Sequence, residues 1–269
     1  MTYDNPIAFK LLNKSFIDYK ITSNLYKEGK NIINKYNLKL DKKFVLIHAR
    51  DSSFKPNDHE FYRNTDINSF FKLVDYLSEN DFQIVRAGNI GMKKSNFDDK
   101  IIDLTQVKIE KKDRQLLDVY LVSHCDYMVG TCSGFSALSR MFGTKILSTN
   151  MSPLSHALSI NSGISIPKLY KYTKNNKVLT FKEIILPNFA QYRHDKNFQS
   201  SSLKLIDNSP DEILAAFKDL EKYSQDKVES NLQKSFRELM NFCNAKLHCY
   251  ESQSSIAPSF IEKHANLLK

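Results

Sequence analysis

Two short polar clusters follow apolar runs in this 269-residue chain. The first is His48-Ala49-Arg50-Asp51, continued by Ser52 and Ser53, directly after Phe44-Val45-Leu46-Ile47. Arginine presents a planar fork of donors that suits two phosphate oxygens at once. A histidine beside it can orient a phosphate or a sugar hydroxyl, or handle a proton. The second cluster is Gly130-Thr131-Cys132-Ser133-Gly134-Phe135-Ser136, after Tyr127-Met128-Val129. Glycines and small hydroxyl residues leading into a helix leave backbone N–H groups free at the positive end of the helix dipole, a natural phosphate cradle. This cluster is not a P-loop, since no Gly-Lys-Ser/Thr follows, nor is it G-x-G-x-x-G. Taken singly, the first cluster reads more readily as ordinary polar residues where a strand meets solvent, and the second reads equally well as a plain N-cap at Ser133.

Three arginines weigh toward function. Arg50, Arg63 within Tyr62-Arg63-Asn64-Thr65-Asp66, and Arg86 after Phe82-Gln83-Ile84-Val85 are all expected on one rim, at the carboxyl edge of a sheet. Arg is the minority cation in a Lys-rich chain, so its placement at strand ends is informative. The expected binding residues are therefore Arg50, Arg63, Asn64 and Arg86, with Thr131, Ser133, Gly134 and Ser136 from the second cluster. His48 and Asp51 are both candidates for proton transfer, and the sequence does not choose between them. His59 with Asp58 and Glu60 matches no metal-ligand spacing, and there is no Asp-x-Asp to hold a divalent ion on a diphosphate. No metal site and no separate cofactor are expected; arginine would take the ion's place.

The elements that must position these residues follow from periodicity. Phe44 to Ile47 reads as a strand buried on both faces. Ile67, Phe70, Phe71, Val74 and Leu77 form one helical stripe over 66–79, with Thr65 or Asp66 as N-cap. Further strands are expected at 82–85, 101–104, 127–129 and 145–147. Helices are expected from about Asp113, burying Leu116, Leu117, Tyr120 and Leu121, and through Leu138, Met141 and Phe142 to Gly143. Ser209-Pro210-Asp211-Glu212 combines a Ser N-cap, Pro at the first helical position and Glu at the third. A last helix near 228–247 would place Val228, Leu232, Leu239 and Cys243 on one stripe, and residues 151–200 read as a long irregular excursion. The alternation predicts an α/β fold with a doubly wound, mostly parallel, Rossmann-like sheet. The expected divisions are a helical N-terminal segment over 1–40, with Phe9, Leu12 and Phe16 on its stripe, the sheet domain over 41–225 and a C-terminal helical extension over 226–269.

Composition narrows the class. The hydrophobic share of 41% is ordinary for a globular chain, and no run approaches the ~18 apolar residues of a membrane span. The first twenty residues lack a signal-peptide stretch, so a cytoplasmic location is expected. A net charge of +9 suggests nucleic acid, but the lysines are dispersed and no Arg-rich block exists. No nucleic-acid partner is expected; weak attraction to anionic substrates or to the inner face of a membrane fits better. Cys125, Cys132, Cys243 and Cys249 show no paired spacing, which speaks against a zinc or disulfide framework.

Several segments together carry a resemblance. Phe44–Asp51 (FVLIHARD), Tyr62–Ile67 (YRNTDI), Val129–Phe135 (VGTCSGF), Phe142–Asn150 (FGTKILSTN) and Ile256–Leu268 (IAPSFIEKHANLL) resemble a family of bacterial surface-polysaccharide glycosyltransferases. Asp207-Asn208-Ser209-Pro210, then Glu212-Ile213, also looks like a motif of such enzymes. More distantly, the His-x-Arg segment with a hydroxyl-rich turn before a helix is similar to fucosyltransferases of the GT-B fold. That similarity implies a GT-B donor-domain type of sheet and a nucleotide-sugar substrate, a GDP-sugar slightly favoured. It also implies that Arg50 neutralises the leaving diphosphate while Thr131, Ser133 and Gly134 cradle it. Ala49 and Asp51 stand where those enzymes often carry a second Arg and a Gly, which leaves the choice of guanine nucleotide open. The implied acceptor is a glycan or a lipid-linked sugar. Only about 40 residues precede the first strand, short of a GT-B acceptor half. The acceptor half is therefore expected to be minimal, or supplied by a partner chain, or missing, as in a non-catalytic binding or scaffolding relative.

Overall fold

The computed structural model describes residues 19–53, 59–157, 163–223, 228–242 and 254–269. Its strands in chain order are β1 (Phe44–His48), β2 (Gln83–Arg86), β3 (Ile102–Asp103), β4 (Tyr127–Gly130), β5 (Ile146–Met151), β6 (Gly163–Pro167), β7 (Leu169–Tyr172), β8 (Leu203–Ile206) and β9 (Ser255–Ile256). Seven of them form one sheet in the order β3-β2-β1-β4-β5-β6-β9, and every pairing in it is parallel. β7 and β8 form a separate antiparallel ribbon. From β1 the chain winds outward through β2 and β3, then crosses back to β4 and winds the other way. This is the doubly wound, Rossmann-like arrangement, and its reversal between β1 and β4 opens a crevice at their carboxyl ends.

The helices are α1 (Ser23–Lys35), α2 (Phe71–Glu79), α3 (Lys111–His124), α4 (Gly134–Met141), α5 (Phe181–Ile185), α6 (Asp195–Ser200), α7 (Pro210–Glu221), α8 (Asn231–Phe242) and α9 (Pro258–Lys263). All five residues of β1 are buried because helices cover both faces of the sheet. Alternate residues sort between two cores. Val45, Ile47 and Ile84 pack with Leu73 and Leu77 of α2 and Phe217 of α7. Leu46, Val85 and Met128 pack with Ile32 and Ile33 of α1 and Leu117 and Leu121 of α3. Among the described residues no helix is long and apolar enough to cross a membrane.

The start of α7 matches its sequence signature. Ser209 Oγ accepts from Glu212 N at 3.3 Å, and Glu212 Oε2 accepts from Ser209 N at 2.8 Å. The same carboxylate meets His264 Nε2 at 2.7 Å and Lys263 Nζ at 2.9 Å, which ties α7 to the end of α9. Although burial opposes it, these partners hold Glu212 down at about 2.

Four expectations change. The excursion over 151–200 contains β6 and β7 and two short helices, so it is not irregular throughout. Gly163 opens β6 because a Cβ there would sit 1.9 Å from the Ile146 carbonyl oxygen of the adjacent strand. The late helix starts at Asn231, with Phe236 and Met240 buried, whereas Val228 lies before it and is exposed. Met141, expected inside, is exposed at the end of α4. Ser255–Ile256 pairs with β6, so the stretch after 226 contributes a strand as well as helices. Phe9, Leu12, Phe16, Cys243 and Cys249 lie outside the described residues.

Candidate functional site

The crevice at the switch point is built by the exits of β1 and β4. Thr131 N donates to the His48 carbonyl at 3.1 Å, and Thr131 Oγ1 accepts from Arg50 N at 3.1 Å. These bonds extend the ladder past His48 and Gly130 and leave the Thr131 hydroxyl engaged with backbone. Ser136 is likewise internal, donating to the Thr131 carbonyl at 2.7 Å. Both residues shape the turn and do not line the cavity.

Ser133 and Gly134 do line it, at the start of α4, within a cavity of about 330 Å³. Ser133 stands at the N-cap position, yet its hydroxyl caps nothing and has no hydrogen-bond partner. A Cβ on Gly134 would meet nothing within 4 Å, so the approach to the first N–H groups of the helix is open. A helix start with its donors uncovered is an anion site in waiting.

Arg50 and Arg63 line the same cavity as that helix start. Arg50 is 6% exposed, and its Nη1 donates to the Glu60 carbonyl at 2.8 Å. Its Nη2 lies 3.8 Å from the Glu60 carboxylate, which also pairs closely with Arg63 Nη1. Arg63 completes its bonding on the Cys132 carbonyl, through Nη2 at 2.8 Å and Nε at 3.2 Å. The turn Phe61–Arg63 that carries it is pinned from below. Asp195 accepts from Phe61 N and Tyr62 N, both at 2.9 Å, and Thr65 N donates to the Arg50 carbonyl at 2.9 Å. Both guanidiniums therefore reach the partly exposed carboxylate of Glu60.

His48 lines the cavity with Nδ1 held 3.0 Å from the Ala87 carbonyl, which leaves Nε2 for a ligand, and its ring lies 4.7 Å from that of Phe135. Burial, with Arg86 and Arg50 nearby, lowers it to about 4, so at pH 7 it is a neutral acceptor and a poor base. Asp118, on α3, lines the same cavity beside Met92, Phe135 and Leu138. Its Oδ1 is buried without a hydrogen bond, and burial raises the carboxyl to about 7, offset only in part by Arg114 one turn earlier. Neither Asp118 nor Glu60 was singled out from sequence as a binding or catalytic residue. Asp118 sits on a helix face that periodicity marks only as Leu116-Leu117 core, and Glu60 looked like part of a failed metal pattern.

Asp51, Asn64 and Arg86 fall elsewhere, in a neighbouring depression of about 300 Å³. Register explains the separation. Ile47 pairs with Arg86, so Arg86 projects to the face of Ile47, Ala49 and Asp51, whereas His48 and Arg50 project to the other. Arg86 is 1% exposed and pairs with Asp103 at 2.9 Å. The expected convergence of three arginines is thus a convergence of two. Asp51 is tied to the loops, its Oδ1 accepting from Ser53 N and its Oδ2 from Lys93 N, each at 2.9 Å. It does not line the cavity of Arg50. Asn64 lies between the hollows, its Oδ1 3.5 Å from Arg50 Nη1.

Cys132 Sγ lies 3.6 Å from His156 Nδ1, a pairing that invites a nucleophile reading. Burial pushes this thiol up, the reverse of what an activated thiolate needs. Comparison with protein-family models, with curated proteins and with solved structures finds no match to this chain.

Proposed function

We propose that this chain is a glycosyltransferase that moves a sugar from a nucleotide-diphosphate donor to a glycan or lipid-linked acceptor. The observation that carries the reading is that Arg50 and Arg63 both reach Glu60 in the same cavity as the uncovered start of α4, at the switch point of the sheet. A diphosphate entering the cavity replaces the Glu60 carboxylate on the two guanidiniums and takes the Ser133 hydroxyl and the helix N–H groups on its other side. As the glycosidic bond breaks, charge grows on the leaving diphosphate, and these preorganised donors stabilise it there without a divalent ion being needed. Met92, Phe135 and Leu138 offer the nucleoside an apolar wall, and Asp118 offers an acceptor for one of its O–H or N–H groups. His48 acts as a fixed acceptor through Nε2 rather than as the base, and Asp51 stands in the neighbouring hollow rather than in the cavity of Arg50.

A thermal-shift screen with GDP, UDP, CDP and CMP tests this. Stabilisation by one nucleoside diphosphate, lost in Arg50→Ala, is expected. Silence from all four, or an undiminished shift in Arg50→Ala, sinks the assignment.

A further inference from the structure

The second hollow, on the opposite face of the β1 exit, has a chemistry of its own. Thr65 is 5% exposed and its Oγ1 has no hydrogen-bond partner; Arg86 is 1% exposed and its Nε has none. Both residues line this depression. A buried donor left without a partner costs about 1–3 kcal/mol, so two beside one hollow call for an explanation. Acceptors stand next to them. Asp66 Oδ1 takes Asn68 N and Lys93 Nζ, and Asp207 Oδ1 takes Lys168 Nζ, which leaves Oδ2 of each carboxylate unbonded among the described residues.

The charges nearly cancel. Asp51, Asp66 and Asp207 face Lys93 and Arg86, while Lys168 and Asp103 stand immediately behind as partners of Asp207 and Arg86. A phosphate would meet three carboxylates here, and a cation would meet two basic groups. Donors and acceptors interleaved at near-zero net charge suit a ligand whose every group both donates and accepts, which describes adjacent hydroxyls on a sugar ring. Ala49 and Ile67 supply apolar surface for the C–H face of such a ring.

We propose that this depression is a subsite for an uncharged pyranose, held by Thr65, Arg86, Asp66 and Asp207. Asn64 lines the depression and its Oδ1 lies 3.5 Å from Arg50 Nη1, so a ring bound there adjoins the place assigned to the diphosphate. That role rests on the transferase reading; the binding itself does not. The ring belongs either to the donor or to the acceptor, and the chemistry is the same for both.

Saturation-transfer difference NMR on the full chain, without nucleotide, decides the matter. Methyl α-glucopyranoside and methyl α-galactopyranoside are the neutral probes, with glucuronate and glucosamine as charged counterparts. Transfer to a neutral glycoside is expected, stronger than to either charged probe, and lost in Thr65→Val, whose shape is unchanged. No transfer to neutral probes, a preference for glucuronate or glucosamine, or equal transfer in a folded Thr65→Val overturns the proposal. Asp66→Asn, which keeps the turn cap, gives the same comparison should the valine variant not fold. If a nucleotide-sugar binds more tightly than its nucleotide and Thr65→Val removes that difference, the ring is the donor's. If the difference survives while glycoside binding is lost, the ring is the acceptor's. Glycoside binding together with silence toward every nucleotide would retain this subsite and remove the transferase reading.

Discussion

The two hollows beside β1 hold arginine in opposite ways. Arg86 has a carboxylate to itself, Asp103, and both side chains are almost out of solvent. Arg50 and Arg63 both reach Glu60, whose side chain is 29% exposed, and also donate to the Glu60 and Cys132 carbonyls. A one-to-one buried pair is electrically closed. Two guanidiniums on one partly exposed carboxylate can exchange it for an entering anion. The same side chain sits in a closed, neutral pair on one face of a strand and beside an anion site on the other, and its partner decides which.

That contrast can be broken, and the largest effect should come from its closed side. Arg86→Ala leaves Asp103 buried without its cation and should cost about 3–5 kcal/mol in urea unfolding. A loss below about 1 kcal/mol, the worth of an exposed pair, would erase the distinction.

The open cavity also contains Asp118, a carboxyl with no salt-bridge partner among the described residues, and its burial makes stability depend on pH. Its folded value of about 7 lies above the ordinary 3.8, so its contribution to stability is complete at low pH and is lost as pH rises toward 7. His48 runs the other way: lowered from 6.5 to about 4, it adds stability as pH rises through that interval. The two slopes oppose each other below 6.5. Asp118→Asn should therefore exceed the wild type by roughly 3 kcal/mol at pH 8, with the gap closing toward pH 4. A gap independent of pH in denaturant titrations would show that the carboxyl is not desolvated.

Smaller effects concern ligands. Arg50→Ala should weaken binding of the preferred nucleoside diphosphate about a hundredfold by calorimetry while the far-ultraviolet spectrum is retained. Glu60→Gln should tighten the same binding severalfold, by about 1 kcal/mol, because the internal competitor loses its charge. Weaker binding in Glu60→Gln would make Glu60 a ligand contact and not a placeholder.

Much of the framework was legible from the chain. Phe44-Val45-Leu46-Ile47 is apolar throughout because both faces of β1 are covered, and Ser209-Pro210-Asp211-Glu212 announces a helix start by its capping chemistry. Of the four strands that escaped notice, β6 to β9, the first and last are short and hold Ser or Gly, so they lack the apolar signal on which a strand assignment depends. For the site, sequence located the two strand exits and the pair Arg50 and Arg63. It could not tell on which face Arg86 lay, because that depends on pairing with Ile47, and pairing is a long-range fact. Asp118 was invisible for a related reason: desolvation is set by what packs around a carboxyl, not by its neighbours in the chain.

The pairing of β9 with β6 bears on how the molecule is made. Ile164 meets Ser255 across some ninety positions of chain, and Gln233 bridges to Ser255 Oγ and the Ile256 carbonyl at 3.0 and 2.7 Å. During synthesis from the N-terminus, the strands from β1 to β6 are all available before β9 emerges. Until then β6 is the rim of the sheet, with a row of unpaired N–H and C=O groups that any passing strand could pair with. This seam is closed by residues translated some ninety positions after the edge they cover, and its vulnerable interval is the time the ribosome takes to reach them.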